Sequence, residues 1–219
     1  MSDIRFDGRV AVITGAGGGL GKTYALELAK RGAQVVVNDL GGSADGSGKS
    51  TSMADQTVDE IKKAGGQAVS NYSSVATPEG GEAIIKTALD AFGRVDVVIN
   101  NAGIHDPGLF DTLSVEQFQA MLDVHFFGTV FVSRAAWPHF VKAGYGRIVN
   151  TVSEAMLGGI PELTSYGSAK GAVFGLTRNL ATEGPAHGIR VNALAPRAYT
   201  RRLRRIRRRC PRFSGCRRT

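Results

Sequence analysis

Six short apolar runs recur along this chain, and a segment of helical periodicity follows each of the first five. The runs are Val10-Ala11-Val12-Ile13, Gln34-Val35-Val36-Val37, Gln67-Ala68-Val69, Val95-Asp96-Val97-Val98-Ile99, Arg147-Ile148-Val149 and Ile189-Arg190-Val191. They are β-branched and apolar almost throughout, as strands buried on both faces should be. Helical patterns fall roughly at 20–31, 52–64, 79–92, 114–142 and 164–187. Such alternation predicts a parallel sheet with right-handed crossovers and helices on both faces. The expected fold class is α/β, a doubly wound parallel sheet. Gly128 and Pro138 fall inside the long fourth helical segment and predict a kink or break there. Gly41-Gly42-Ser43-Ala44-Asp45-Gly46-Ser47-Gly48 reads as a flexible polar loop after the second strand.

At 219 residues the chain suffices for one domain whose core needs no staples. Its formal charge of +8 is unevenly placed. Residues 1–196 hold 16 of the 27 Lys and Arg and all 19 acids, a net −3, whereas residues 197–219 hold 11 Arg and no acid. The expected organisation is therefore a mildly acidic domain at 1–196 and a disordered Arg-rich tail at 197–219. Apart from Phe213 the tail has no aromatic interleaving, and no binding module surrounds it, which argues against a nucleic-acid partner. The abrupt turn to Arg, with Cys and Pro, reads as out-of-frame translation of a GC-rich gene; a genuine basic extension is the alternative. Both cysteines, Cys210 and Cys216, lie in the tail, and histidines stand at 105, 125, 139 and 187. None has metal-ligand spacing, so no metal is expected. The N-terminus lacks a signal peptide's apolar stretch, and no apolar run approaches a bilayer span. A cytoplasmic protein without a membrane partner is the expectation.

Three collinear clusters carry the chemistry. The first, Thr14-Gly15-Ala16-Gly17-Gly18-Gly19-Leu20-Gly21, lies between the first strand and the first helix. A Gly-rich turn there lets backbone N–H groups approach a pyrophosphate where the helix dipole favours negative charge. A flexible turn would look the same in isolation. Position argues for the dinucleotide, because Asp39 stands at the end of the next strand. An acid at that place accepts hydrogen bonds from the adenosine ribose and repels a 2′-phosphate, which favours NAD over NADP. The plainer reading of Asp39 is a loop cap. The second cluster, Asn100-Asn101-Ala102-Gly103, follows the fourth strand.

In the third, Ser153 precedes Tyr166-Gly167-Ser168-Ala169-Lys170. Tyr166 and Lys170 are four apart, so a helix sets them on one face. A surface tyrosine over a lysine stem would share this spacing. Ser165, Gly167, Ser168, Ala169 and Gly171 are small, as a helix needs when a ligand lies against it. A phenol titrates near pH 10, and each whole pH unit by which a site brings that down takes about 1.4 kcal/mol. A neighbouring ammonium and a positive nicotinamide both favour the phenolate. Ser153 stands at a strand's C-terminal edge, where such sheets bind ligands, and its hydroxyl can donate to the oxygen that Tyr166 protonates or deprotonates.

On these residues the chain resembles the short-chain dehydrogenase/reductase family over about residues 8–196. The matching pieces are T-G-x3-G-x-G, N-N-A-G, the serine thirteen residues before tyrosine, Y-x-x-x-K and Arg190-Val191-Asn192-Ala193-Leu194-Ala195-Pro196. Asn38-Asp39-Leu40-Gly41-Gly42, Ala135-Ala136-Trp137 and Ala88-Leu89-Asp90-Ala91-Phe92-Gly93-Arg94-Val95-Asp96 are similar to hydroxyacyl-CoA dehydrogenase domains of peroxisomal multifunctional enzymes. The resemblance implies a Rossmann fold, here lacking the family's last strand. It also implies NAD-dependent interconversion of a secondary alcohol and a ketone, with a 3-hydroxyacyl thioester or a steroid as substrate. Ser153 would orient substrate, Tyr166 would be the acid–base, and Lys170 would also hold the nicotinamide ribose. Thr14, Gly15, Gly17, Gly18, Gly19, Leu20, Gly21, Asp39, Asn101, Ala102, Gly103 and Pro196 would line the cofactor, with Ser74 and Val75 near adenine.

Three positions depart from the family pattern. Ser74 stands where most relatives have Asp, and His125 aligns with the family's fourth catalytic residue, usually Asn. That Asn presents its backbone carbonyl to a relay water, so a histidine can serve; a packed helix residue is the plainer reading. Pro196-Arg197 replaces Pro-Gly. Relatives pair through helices corresponding to 114–142 and 164–187, which makes a homodimer the expected assembly. A truncated form that only binds dinucleotide, or a basic-tail interaction protein, is the alternative to an active enzyme.

Overall fold

The computed structural model describes residues 4–42 and 52–197. The loop expected at 43–48 and the Arg-rich tail from 198 onward, with both cysteines, lie outside the described residues. Among the described residues six strands form one parallel sheet: β1 Val10–Thr14, β2 Gln34–Asn38, β3 Gln67–Asn71, β4 Val97–Asn100, β5 Gly146–Thr151 and β6 Ile189–Leu194. Their order is β3-β2-β1-β4-β5-β6, so the chain reverses direction between β1 and β4, as expected of a doubly wound sheet.

Alternate residues of the first five strands feed two cores. Val10, Val12, Val36, Val98, Ile148, Ile189 and Val191 pack on one face with α3 (Pro78–Phe92) and α5 (Gly128–Ala143), through Ile84, Ile85, Val132, Ala136 and Phe140. Ala11, Ile13, Val35, Val37, Val97 and Ile99 pack on the other with α1 (Gly19–Lys30) and α2 (Ser52–Lys63), through Ala25, Ala29, Val58 and Ile61. Two-sided burial explains the near-continuous apolar runs. β6 departs from that expectation: Ile189 and Val191 are buried, but Arg190 and Asn192 face solvent. Its alternating sequence is that of a strand covered on one side.

The segment expected at 114–142 is helical throughout, with a π-helical turn before Gly128 and no interruption at Pro138. It comprises α4 (Val115–Leu122), one π-helical turn (Asp123–Phe127) and α5, in which Pro138 stays inside the helix. Gly128 is held close to its neighbour, since a Cβ there would lie 2.8 Å from the Val75 side chain. α6 (Thr164–Glu183) ends in a 3-10 turn, Gly184–His187.

At the edge where the strands begin, Asp96 is fully buried just before β4. It accepts hydrogen bonds from the Val10 N–H at 2.9 Å, Arg9 at 2.8 Å and Arg94 at 2.6 and 2.8 Å. Burial pushes its carboxyl up, but the Arg94, Val10 and Arg9 hydrogen bonds and the Arg94 charge outweigh it and hold the pKa below the ordinary value. The group therefore contributes stability that is complete above its unfolded pKa of about 3.9 and is lost as pH falls through the folded value. We expect Asp96→Ala to cost about 1–3 kcal/mol in urea unfolding at neutral pH, because the buried Val10 N–H loses its acceptor, whereas Arg9 and Arg94, 35% and 48% exposed, turn to water. Asp96→Asn should in addition flatten the fall in stability below about pH 4, which urea melts across that range will read.

Candidate active site

The Gly-rich turn joins β1 to α1, and its glycines answer to specific neighbours. A Cβ on Gly15, where φ is 64°, would lie 2.9 Å from the Ala102 backbone. One on Gly21 would lie 2.3 Å from the Gly15 carbonyl oxygen. A Cβ on Gly17 would meet the Asp39 carboxylate at 2.8 Å. Around Gly19, whose φ is 57°, nothing lies within 4 Å of an added Cβ. The turn is thus closed toward the sheet and open at Gly19. α1 starts from Gly18 without a side-chain cap, which leaves its first N–H groups to an anion. These residues fit a dinucleotide pyrophosphate.

Thr14, buried at the end of β1, ties this turn to the second cluster. Its hydroxyl accepts from the N–H groups of Asn101 and Ala102 at 3.0 Å each, while Asn101 Nδ2 donates back to the carbonyls of Thr14 and Gly15. Asp39 Oδ2 accepts from the Gly17 N–H at 2.8 Å and Oδ1 from the Gly41 N–H at 2.7 Å. The carboxylate therefore caps its loop, the plainer of its two sequence readings, and also faces the Gly-rich turn. Ser74 and Val75 follow β3, with Ser74 Oγ accepting from the Ala76 N–H. Leu20 and Gly103 are half-buried, and so is Pro196, two residues beyond β6.

Ser153 lies two residues beyond β5 and caps a 3-10 turn, Glu154–Leu157, its Oγ accepting from the Ala155 N–H at 3.2 Å. The hydroxyl hydrogen remains available to a ligand. That turn packs on α6 so closely that a Cβ on Gly167 would lie 2.6 Å from the Ala155 carbonyl oxygen. The small residue after Tyr166 is what lets the Ser153 turn approach the tyrosine. Lys170 is buried, 3% exposed, and its ammonium donates to the Thr151 carbonyl at 2.6 Å. The same ammonium lies 5.7 Å from the centre of the half-buried Tyr166 ring.

His125 sits in the π-helical turn, 2% exposed. Its ring meets that of Tyr166 edge-on, centroids 5.3 Å apart. Nε2 lies 2.8 Å from the Ile104 carbonyl oxygen, to which it donates in the Nε2–H tautomer. Its own carbonyl accepts from the Thr129 hydroxyl at 2.7 Å, one of the two hydrogen bonds such an oxygen can take. A Cβ on Gly103 would lie 2.3 Å from the His125 ring, so the loop after β4 has no room for a side chain there.

Sequence reasoning missed two features. His105 also contacts Tyr166, centroids 5.2 Å apart; its place two residues after Gly103 at the ligand-binding edge was the available signal. The other is a row of buried asparagines, Asn38, Asn71, Asn100 and Asn150. Parallel pairing sets Asn38 beside Asn71 and Asn100 beside Asn150, and Nδ2 donates across each pair at 2.9 Å. An asparagine closing each of these apolar runs was the signal. Among the described residues no group of acids, histidines and cysteines could hold a metal, and no helix is long and apolar enough to cross a membrane.

Residues 9–208 match the short chain dehydrogenase family, and the chain belongs to it. A putative short-chain type dehydrogenase/reductase of Mycobacterium tuberculosis is 54% identical over 88% of this chain and 68% of its own length. The peroxisomal multifunctional enzyme type 2 of Mus musculus is 50% identical over 91% of this chain but only 27% of its own length. The chain thus spans about two thirds of the first relative and about a quarter of the second. Among solved structures, a short chain dehydrogenase from Mycobacterium avium is 44% identical, with a TM-score of 0.81 over 89% of this chain and 69% of its own. A 7α-hydroxysteroid dehydrogenase complexed with NADH and 7-oxo glycochenodeoxycholic acid is 35% identical, with a TM-score of 0.81 over 88% of this chain and 71% of its own. Like these relatives the chain is an oxidoreductase, which leaves the basic-tail interaction reading unfavoured.

The packing of the Gly-rich turn predicts that Gly21→Ala is not tolerated. The added Cβ must push the Gly15 carbonyl and Asn101 apart, displacing the Gly-rich turn and the loop after β4. We expect NADH binding, followed by nicotinamide fluorescence, to fall at least about a hundredfold, equivalent to about 2.7 kcal/mol.

Proposed function

We propose that this chain is an NAD-dependent dehydrogenase that interconverts a secondary alcohol and a ketone, with a 3-hydroxyacyl thioester as its substrate. The observation that carries the reading is the buried Lys170 ammonium beside the Tyr166 ring, with the Ser153 turn packed against the same stretch of helix. Bound NAD supplies the hydride acceptor, and NADH the donor, for the carbinol carbon. In the oxidative direction Tyr166, as phenolate, takes the hydroxyl proton while the C–H electron pair leaves with the hydride. Ser153 donates a hydrogen bond to the same substrate oxygen and holds it in place. Lys170 stabilises negative charge on the phenol oxygen and reaches the nicotinamide ribose. The His125 carbonyl, with Thr129 on one side, accepts from a water that carries the proton outward. In reduction every transfer runs backward.

The preference for NAD rests on Asp39, whose carboxylate beside the Gly17 N–H would repel a 2′-phosphate and accept from the ribose hydroxyls. The thioester rests on the similarity to multifunctional enzymes named hydratase-dehydrogenase-epimerase, one of which, from Saccharomyces cerevisiae, is 53% identical over 91% of this chain and 22% of its own length. A hydroxysteroid is the second reading, favoured by the steroid dehydrogenase neighbour. A homodimer through α4, α5 and α6 is part of the proposal. Exposed Phe127, in the turn between α4 and α5, and exposed Phe174 on α6 support it. So is a cytoplasmic location, although relatives include proteins named peroxisomal.

Titration with both reduced cofactors should give tighter binding of NADH than of NADPH, and Asp39→Ala should narrow the difference. Equal binding by the unaltered chain would remove the NAD assignment. Tyr166→Phe should abolish turnover of a 3-oxoacyl thioester while changing NADH affinity less than about threefold, under 0.7 kcal/mol. Normal turnover in that variant would remove Tyr166 from its role.

A further inference from the structure

Tyr166 has a second imidazole against it. The His105 ring stands 5.2 Å from the Tyr166 ring, centroid to centroid, with the planes inclined by 53°. It arrives from the loop after β4, just beyond the Asn101-Ala102-Gly103 stretch, and is half-buried. That loop is pinned on both sides of the histidine. Upstream, Asn101 and Ala102 donate to the Thr14 hydroxyl. Downstream, Asp106 accepts from Gln117 Nε2 on α4 at 2.6 Å, and the Gly108 N–H donates to the Glu162 carbonyl at 3.0 Å. Glu162 itself has φ 63°, a backbone state that a non-glycine residue keeps only where its surroundings over-determine it. Two residues later α6 begins, carrying Tyr166 in its first turn. His105 and Tyr166 are therefore carried on one joined backbone frame.

We propose that His105 is a specificity-determining residue: its ring N–H donates to a second carbonyl oxygen of the substrate, two carbons along from the reacting carbon. This rests on the reading of Tyr166 and Ser153 as the groups that hold the reacting oxygen. In the reductive direction Tyr166 and Ser153 both donate to the lone pairs of that oxygen, so a third donor beside them serves a different atom. Imidazole carries at least one N–H in either protonation state it adopts near neutral pH, which makes it a standing donor. A 3-oxoacyl or 3-hydroxyacyl group carries its two oxygens on carbons 1 and 3, so one can face Tyr166 while the other faces the adjoining imidazole. A ketone without that second oxygen forgoes the hydrogen bond, and a site with a donor placed for it discriminates against such a ketone. The same contact disfavours a hydroxysteroid, whose carbinol has no neighbouring carbonyl at that distance.

The test uses two ketones that differ only in the second carbonyl: ethyl 3-oxobutanoate and 4-ethoxybutan-2-one. His105→Phe keeps a ring against Tyr166 and removes the N–H. With NADH and the full chain, we expect this variant to lose about tenfold or more in kcat/KM on the keto ester and less than about twofold on the keto ether. An equal loss on both, or no loss on either, would overturn the proposal, the former meaning that the ring only supports Tyr166. The same pair is titrated into the NADH complexes of Tyr166→Phe and of Tyr166→Phe with His105→Phe, where no turnover is needed. There the proposal requires the second change to weaken the keto ester selectively, by about tenfold, and a ratio that does not move overturns it. If the unaltered chain reduces neither ketone, nor a 3-oxoacyl thioester, the 3-hydroxyacyl reading of the proposed function falls. The binding ratio then decides His105 alone.

Discussion

Polar side chains buried at the C-terminal ends of five parallel strands hold the site together. Thr14, Asn38, Asn71 and Asn100 close their strands, Asn150 stands one residue from the end of β5, and all are under a tenth exposed. Leaving one such group without a partner costs about 1–3 kcal/mol, so their mutual hydrogen bonds specify register as well as adding stability. Asn38 donates to Asn71 and to the Ser73 carbonyl, which sets the loop carrying Ser74 and Val75. Asn100 donates to Ser133 on α5 and to Asn150, which in turn donates to Thr177 on α6. The row thus links the sheet edge to the two helices behind the tyrosine. A slip of one residue in any strand would turn these groups into an apolar core.

Close approach governs the other half of the site. Gly167 admits the Ser153 turn, Gly103 admits the His125 ring, and Gly128 admits Val75 after the π-helical turn. That turn inserts its extra residue at the point where His125 must reach inward, and π-helical turns occur often at functional sites. Lys170 is the one buried Lys or Arg among the described residues, and its ammonium is anchored on a backbone carbonyl. A neutral carbonyl holds the ammonium in place without cancelling its charge, which acts on the phenol beside it. Asp96, at the opposite edge, shows the contrary case: a buried carboxylate with two guanidinium partners, satisfied and remote from the chemistry.

Much of this was legible without coordinates, for a physical reason. Strand burial, the Gly-rich turn and the i, i+4 relation of Tyr166 and Lys170 are local patterns, written in contiguous residues by periodicity and sterics. The doubly wound sheet followed from handedness and from βα alternation. The one-sided cover of β6 was not read that way, although its alternation of Ile189 and Val191 with Arg190 and Asn192 carried the signal. The π-helical turn before Gly128 was equally open, since Gly128 and Pro138 both break helices in principle. Packing of Val75 against Gly128 accompanies the π-helical turn there, while Pro138 stays within α5.

By itself the sequence determined the strand–helix alternation, the place of Ser153 beyond β5 and the acid after β2. Tertiary structure alone decided what lies beside Tyr166. The resemblance placed His125 at the site and the position of His105 after Gly103 hinted at it, but only the packing of two different segments set both rings against Tyr166. Contacts between distant segments depend on how helices and loops settle on the sheet, and one-dimensional periodicity carries no record of that settling.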